Sequence, residues 1–215
     1  MGMRVLLSGF APYGEDHINP SWEAVRRLDG MRAVGNVTLF ATRLPVVYGE
    51  AIERLISSIH VIKPDVTIAV GQAGGRMQIT PERIAINVSD AAVPDNAGRM
   101  LTDQAIVSDG PAAYWSTLPI RKIVHAIKGL GIPAGLSNTA GTFVCNQVFY
   151  GLMHELSHSE QTRIGGFIHV PYMPEQTLDK LTPCLSLDMI TKALKCAAVV
   201  SAKALMPDHK LTEIN

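Results

Sequence analysis

Asp65-Val66-Thr67-Ile68-Ala69-Val70, followed by Gly71-Gln72-Ala73-Gly74-Gly75, is the stretch that decides the fold. A strand with one wet face alternates apolar and polar side chains. A continuous β-branched and apolar run is instead buried on both faces, as strands of a parallel sheet are. The glycine-rich residues that follow end the strand in a loop. Upstream, Tyr48 to Ile62 places Ala51, Leu55, Ile59 and Ile62 at helical spacing and stops before Pro64. Val37 to Leu44 is a β-rich run, Ser21 caps a helix through Leu28 with Glu23 in its first turn, and Arg4 to Ser8 is a buried strand.

Downstream the alternation continues. Arg83 to Val88 predicts a strand, and Pro119 to Gly129 a helix with proline at its start and glycine at its end. Gly135 to Ser137 predicts a short strand, and a helix carrying Cys145 follows. Arg163 to Val170 is a strand and Leu187 to Leu205 a long closing helix. Alternation of this kind indicates one α/β domain over residues 1–215, with a largely parallel sheet covered on both faces. Ala91 to Gly110 is irregular and long enough for a functional loop.

The 215 residues are 47% hydrophobic, enough for a core, and carry no formal net charge. Neutrality argues against nucleic acid or an anionic membrane as partner, since both need a basic surface. The longest apolar runs are too short to span a bilayer, and Met3 to Leu7 enters a strand with no leader-type segment before it. Cys145, Cys184 and Cys196 cannot all pair and form no CxxC, so a reduced, cytoplasmic protein is expected.

Ligands of open α/β sheets bind at the carboxyl ends of the strands. The loops expected there are Gly9 to Asn19, Gly71 to Pro81, Thr139 to Val144 and His169 to Glu175. Cys145 opens a helix after Gly141-Thr142-Phe143-Val144, where the positive end of the macrodipole lowers a thiol's pKa. At 100° per residue, Cys145, Val148, Phe149, Leu152 and Leu156 lie within about 60° of one line, so the thiol faces inward. Burial as a plain core cysteine is the alternative. His169, at a strand's carboxyl end before Pro171, stands where a base for Cys145 belongs. Glu82 precedes Arg83-Ile84-Ala85-Ile86-Asn87 and is expected to pair with Arg83 or Arg76. Its sharper role is the carboxylate that orients His169.

Two further motifs compete. His154-Glu155-Leu156-Ser157-His158 is a literal HExxH, with Glu175 the nearest third zinc ligand. His154 and His158 nevertheless fall about 200° and 240° from Leu152, opposite the apolar stripe, which suits a solvated helix end. Gly71 to Gly75 follows a strand like a phosphate cradle, but it fits neither nucleotide-binding glycine pattern.

With these residues in view, the chain resembles the pyrrolidone carboxyl peptidases, or type I pyroglutamyl peptidases. The resemblance runs through Gly9-Phe10 to Asn19-Pro20-Ser21, Gly71 to Gly75 with Glu82 to Asn87, Thr139 to Asn146, and Gly165 to Pro171. It implies an open three-layer α/β/α sandwich, usually a homotetramer. It implies a cysteine peptidase without metal or cofactor that removes N-terminal pyroglutamate, with Glu82, Cys145 and His169 as its triad. A lactam pocket should be apolar with a few neutral polar groups. Phe10, Tyr13, Phe143 and Val144 are its expected walls, and Asn19 and Gln72 its expected polar contacts. Pro12-Tyr13-Gly14-Glu15 departs from the family's Pro-Phe-Gly-Gly. Ala92 stands where the family carries Arg, and Met100-Leu101 where it carries Gln-Pro. Ala92 motivates a second reading, a weak or inactive relative that binds pyroglutamyl ends without cutting them.

Overall fold

The computed structural model describes residues 2–206, so the ends of the expected 1–215 domain lie outside the described residues. Three long strands form the centre: β1 (Met3–Phe10), β3 (Val37–Leu44) and β4 (Val66–Gln72), joined by β8 (Ile164–Val170). β1 lies between β3 and β4, and β8 on the far side of β4, all parallel. Two short antiparallel strands close the edges, β2 (Arg32–Ala33) on β3 and β5 (Thr80–Pro81) on β8. Pro81 lacks an amide hydrogen for a further partner, which suits an edge strand.

The central strands feed two cores by simple alternation. Val5 and Leu7 of β1, Val66, Ile68 and Val70 of β4, and Ile168 and Val170 of β8 face one side. There they pack on α1 (Pro20–Arg26), α3 (Ile120–Gly129) and α5 (Leu187–Ala204). Leu6, Ala69 and Phe167 face the other side, against α2 (Glu50–Ile62) and α4 (Val144–Ser157). Because both faces are covered, the strands need apolar residues at consecutive positions, and this is the origin of the continuous run in β4.

The structure differs from the sequence reading at three places. Asn19, not Ser21, caps α1: its Oδ1 accepts from Ser21 N at 3.1 Å, and Pro20 takes the first helical position. The strand expected over Arg83 to Val88 shrinks to β6 (Ile84–Ile86), which leaves the main sheet and pairs with β7 (Ala113–Trp115). α4 holds it there, since Asn146 Nδ2 donates to the carbonyls of Ile86 and Val88, both at 2.9 Å. The expected strand at Gly135 to Ser137 is reduced to isolated bridges, Ile79 to Ala134 and Glu82 to Ser137.

Candidate active site

Parallel strands deliver their carboxyl ends to one edge, and the loops after β1, β4 and β8 leave from it, while Thr139 to Val144 follows only the isolated bridge at Ser137. Gly71 of β4 is the register partner of His169 of β8, so two of these loops begin side by side. α4 supplies the third group. Phe143 is extended and provides no side-chain cap, so the leading N–H groups of α4 are open to a ligand. Cys145 is partly exposed and faces the sheet at Gly71, where an added methyl would come within 2.9 Å of its Sγ and 2.7 Å of the Phe167 ring. Glycine at 71 is what lets helix, thiol and sheet meet.

The resting thiol differs from the sequence expectation. Burial pushes Cys145 up to about 12, the Glu82 charge adds to the rise, and Arg76 opposes it. Burial thus opposes the thiolate that the helix N-terminus would favour. His169 is held below the ordinary imidazole range, chiefly by burial, with Arg76 acting in the same sense against Glu82. Both shifts favour the neutral forms, thiol and imidazole.

Glu82 is fully buried just past β5, where its N–H donates to Phe167 O at 2.8 Å. Its Oε1 accepts from His169 Nδ1 at 2.7 Å and from Arg76 Nη1 at 2.6 Å. Of the two expected partners it is thus Arg76 that binds; Arg83 turns to Asn138 Oδ1 at 2.8 Å. Burial alone would raise the Glu82 carboxyl, but the bonds and charge of His169, with Ser137 and Arg76, hold it below its usual value. An ionised carboxylate can only accept. His169 Nδ1 therefore carries the hydrogen, and Nε2 keeps a lone pair for proton transfer.

A cavity of about 70 Å³ opens at Cys145 and is lined by Phe10, Tyr13, Asn19, Val46, Gln72, Phe143 and Val144. All six residues expected as its wall or polar contacts are there. Val46 is the one the sequence reading missed; its signal is its place two residues beyond β3, at the same carboxyl edge. Tyr13 and Phe143 pack with ring centroids 5.3 Å apart. The Asn19 side chain is largely committed to the fold, capping α1 and donating to Ala11 O at 3.0 Å. Gln72 is held by Gln176 and Asp16, at 2.9 and 3.2 Å.

The Ala91 to Gly110 loop docks beside this cavity. The Tyr13 hydroxyl donates to Pro94 O at 2.9 Å, a bond that phenylalanine in its place could not make. Asp95 is buried and accepts from the N–H groups of Tyr48, Ala97 and Arg99 at 2.8–2.9 Å. Burial opposes its charge, yet these bonds and Arg99 hold its carboxyl below the usual range. Ala92 is exposed on this loop.

The HExxH histidines serve a different purpose. His154 Nδ1 meets the Tyr114 hydroxyl at 2.9 Å, and His158 Nδ1 the carbonyl of His154 at 2.8 Å. His154 is half-buried against Tyr114 and Tyr150 rather than fully solvated. Among the described residues no cluster of three His, Cys, Asp or Glu side chains could hold a metal ion.

A thiol at a helix start, an imidazole at the neighbouring strand end and a buried carboxylate behind it, all on one edge of an open α/β sheet, mark a hydrolase of the cysteine peptidase class. Comparison with known proteins narrows the class. Residues 3–204 match the model of the pyroglutamyl peptidase family, and the chain belongs to that family. It is 54% identical over 202 residues to the pyrrolidone-carboxylate peptidase of Bacillus licheniformis, covering 94% of each chain. It is 50% identical over 203 residues to that of Bacillus subtilis, again covering 94% of each. The crystal structure of pyroglutamyl peptidase I from Bacillus amyloliquefaciens superposes with a TM-score of 0.91 at 54% identity, over 94% of this chain and 97% of that one. A mutant pyrrolidone carboxyl peptidase from Pyrococcus furiosus gives 0.91 at 43% identity, over 95% and 100%.

Proposed function

We propose that this protein hydrolyses the bond after an N-terminal pyroglutamyl residue, with Cys145 as nucleophile, His169 as base and acid, and Glu82 as orienting carboxylate. The observation that carries the reading is the 2.7 Å bond from His169 Nδ1 to the buried Glu82, in a site whose cavity ends on Cys145. His169 Nε2 takes the thiol proton as Sγ attacks the pyroglutamyl carbonyl carbon. The oxyanion is met by free N–H groups at the start of α4, that of Cys145 among them. The imidazolium then protonates the leaving amine as the C–N bond breaks, leaving a thioester. Water, deprotonated by His169, attacks the thioester; the C–S bond breaks, the imidazolium returns its proton to sulfur, and pyroglutamate leaves.

The cavity suits the lactam, which has no charged α-amine for an acidic handle to grip. Phe10, Tyr13, Phe143, Val46 and Val144 offer an apolar enclosure for the ring. Gln72 and Asn19 contribute neutral polar contacts, Asn19 chiefly through what its capping role leaves free. No step calls on a metal or cofactor. The binding-only alternative is not favoured, since Ala92 lies outside the triad and the curated relatives are named as peptidases. Among the described residues no helix is long and apolar enough to cross a membrane. We place the enzyme in the cytoplasm as a single peptidase domain, assembled as a homotetramer and acting on pyroglutamyl peptides. The deciding experiment is hydrolysis of a pyroglutamyl chromogenic amide with and without iodoacetamide. Release that alkylation abolishes supports the reading; alkylation-resistant release, or none at all, rejects it.

A further inference from the structure

We propose that Arg76 is a positioning residue for this reaction, locking the Glu82 carboxylate and the loop that leads into Cys145 into one unit. The inference rests on the triad roles given above. Arg76 lies in the loop after β4. Its Nη1 donates to Glu82 Oε1 at 2.6 Å, the same oxygen that accepts from His169 Nδ1. Its Nη2 donates to Thr139 O at 3.1 Å, in the segment that runs through Gly141 into α4. Nη1 also reaches Thr80 Oγ1, and Thr80 is the register partner of His169 across β5 and β8. One guanidinium thus ties the Thr80–Glu82 segment, which pairs with β8 at His169, to the loop that leads into Cys145.

Glu82 needs such a clamp. Its other oxygen, Oε2, is buried and has no hydrogen-bond partner of good geometry among the described residues. A carboxylate with one anchored oxygen keeps its orientation only as long as that anchor holds. Without Arg76, Oε1 is held by His169 alone, and Glu82 could swing and carry the imidazole with it. The guanidinium also balances charge. The charged groups that act on His169 are Glu82 past β5 and Arg76; Cys145 of α4 lies at Gly71, the register partner of His169. Arg76 acts to lower both His169 and Cys145, keeping the imidazole neutral in weak acid and easing thiolate formation. The ion pair is not a solvated surface contact, because Glu82 is fully buried and the Arg76 side chain is 28% exposed. On its outer side Arg76 borders a recess lined by Met77, Gln78, Leu136 and Ser137. A small cation could enter by that route.

The test compares Arg76→Ala and Arg76→Lys with wild type. Arg76→Ala should lower kcat on a pyroglutamyl amide by about ten- to hundredfold, as expected for loss of a charge-assisted bond, with KM little changed. The acidic limb of kcat/KM should move to higher pH. Guanidinium ion, but not sodium at equal ionic strength, should restore part of the rate. Arg76→Lys keeps the charge but not the fork, so its acidic limb should stay near that of wild type while kcat falls less. An unmoved limb in Arg76→Ala, a loss confined to KM, or a lysine variant no better than alanine overturns the proposal. Should Arg76→Ala fold poorly, Arg76→Lys decides alone: a limb shifted to higher pH is the overturning result. Failure of the underlying reading shows differently, as a wild type that releases no amine. Alkylation of Cys145 at fixed pH then serves as the readout. It must still slow several-fold in Arg76→Ala, and an unchanged rate there overturns the proposal.

Discussion

Gly71 and Cys145 stand so close that a methyl on Gly71 would lie 2.9 Å from Sγ. The sheet cannot yield, because β4 is paired on both sides, and the Phe167 ring blocks the other direction at 2.7 Å. Gly71→Ala should therefore destabilise by about 1–3 kcal/mol through overpacking. It should also cost more activity than its stability loss explains, because the displaced atom is the nucleophile. Urea denaturation and kcat measured well below the melting temperature separate the two effects.

Glu82→Gln keeps the shape of the side chain and removes its charge. The amide can present its N–H₂ to His169 Nδ1, which favours the tautomer with hydrogen on Nε2. A base without its lone pair cannot take the thiol proton, so kcat should fall by roughly 10³–10⁴-fold. A loss of only a few-fold would show that Glu82 does not set the tautomer.

Stability should fall on both sides of neutrality for separate reasons. His169 and Glu82 are both depressed in the folded state. As pH falls, the unfolded chain binds their protons first, near about 6.5 and then about 4.3, so stability drops through that window. Cys145 is raised to about 12. The unfolded thiol ionises near about 8.5, so stability declines again from there upward. Urea midpoints against pH should show both limbs, and Cys145→Ser should make the alkaline one shallower without moving the acid one, the remainder coming from Cys196, which burial also raises.

Asp95→Ala strands three backbone N–H groups and frees the loop that Tyr13 leans on. It should cost about 2 kcal/mol and raise KM more than it lowers kcat. Steady-state kinetics beside thermal denaturation checks both effects.

Tyr48 offers a control. Its hydroxyl is buried without a partner among the described residues, although the ring packs edge-on against Phe143 at 5.4 Å. Tyr48→Phe loses no hydrogen bond and should be neutral or stabilising by up to about 1 kcal/mol in thermal denaturation. A clear loss of stability would reveal a partner for that hydroxyl.

The sequence by itself determined the sheet's character and the helices, because these are local and periodic. Consecutive apolar residues in β4 require two covered faces, and the 3.6-residue period turned Cys145 inward on the same helix that turned His154 away. It also singled out Glu82, Cys145 and His169, whose residue types sit at element ends where chemistry concentrates. What tertiary structure decided is what depends on distant partners. Competition from α4, through Asn146, drew Ile84–Ile86 out of the main sheet. Arg76 rather than the adjacent Arg83 bound Glu82, since a folded loop, not proximity in sequence, brought the guanidinium within reach. The thiol's state was set in the same way. The helix N-terminus that favours thiolate is visible in sequence, but the burial that opposes it exists only once Gly71 and Phe167 close over the site.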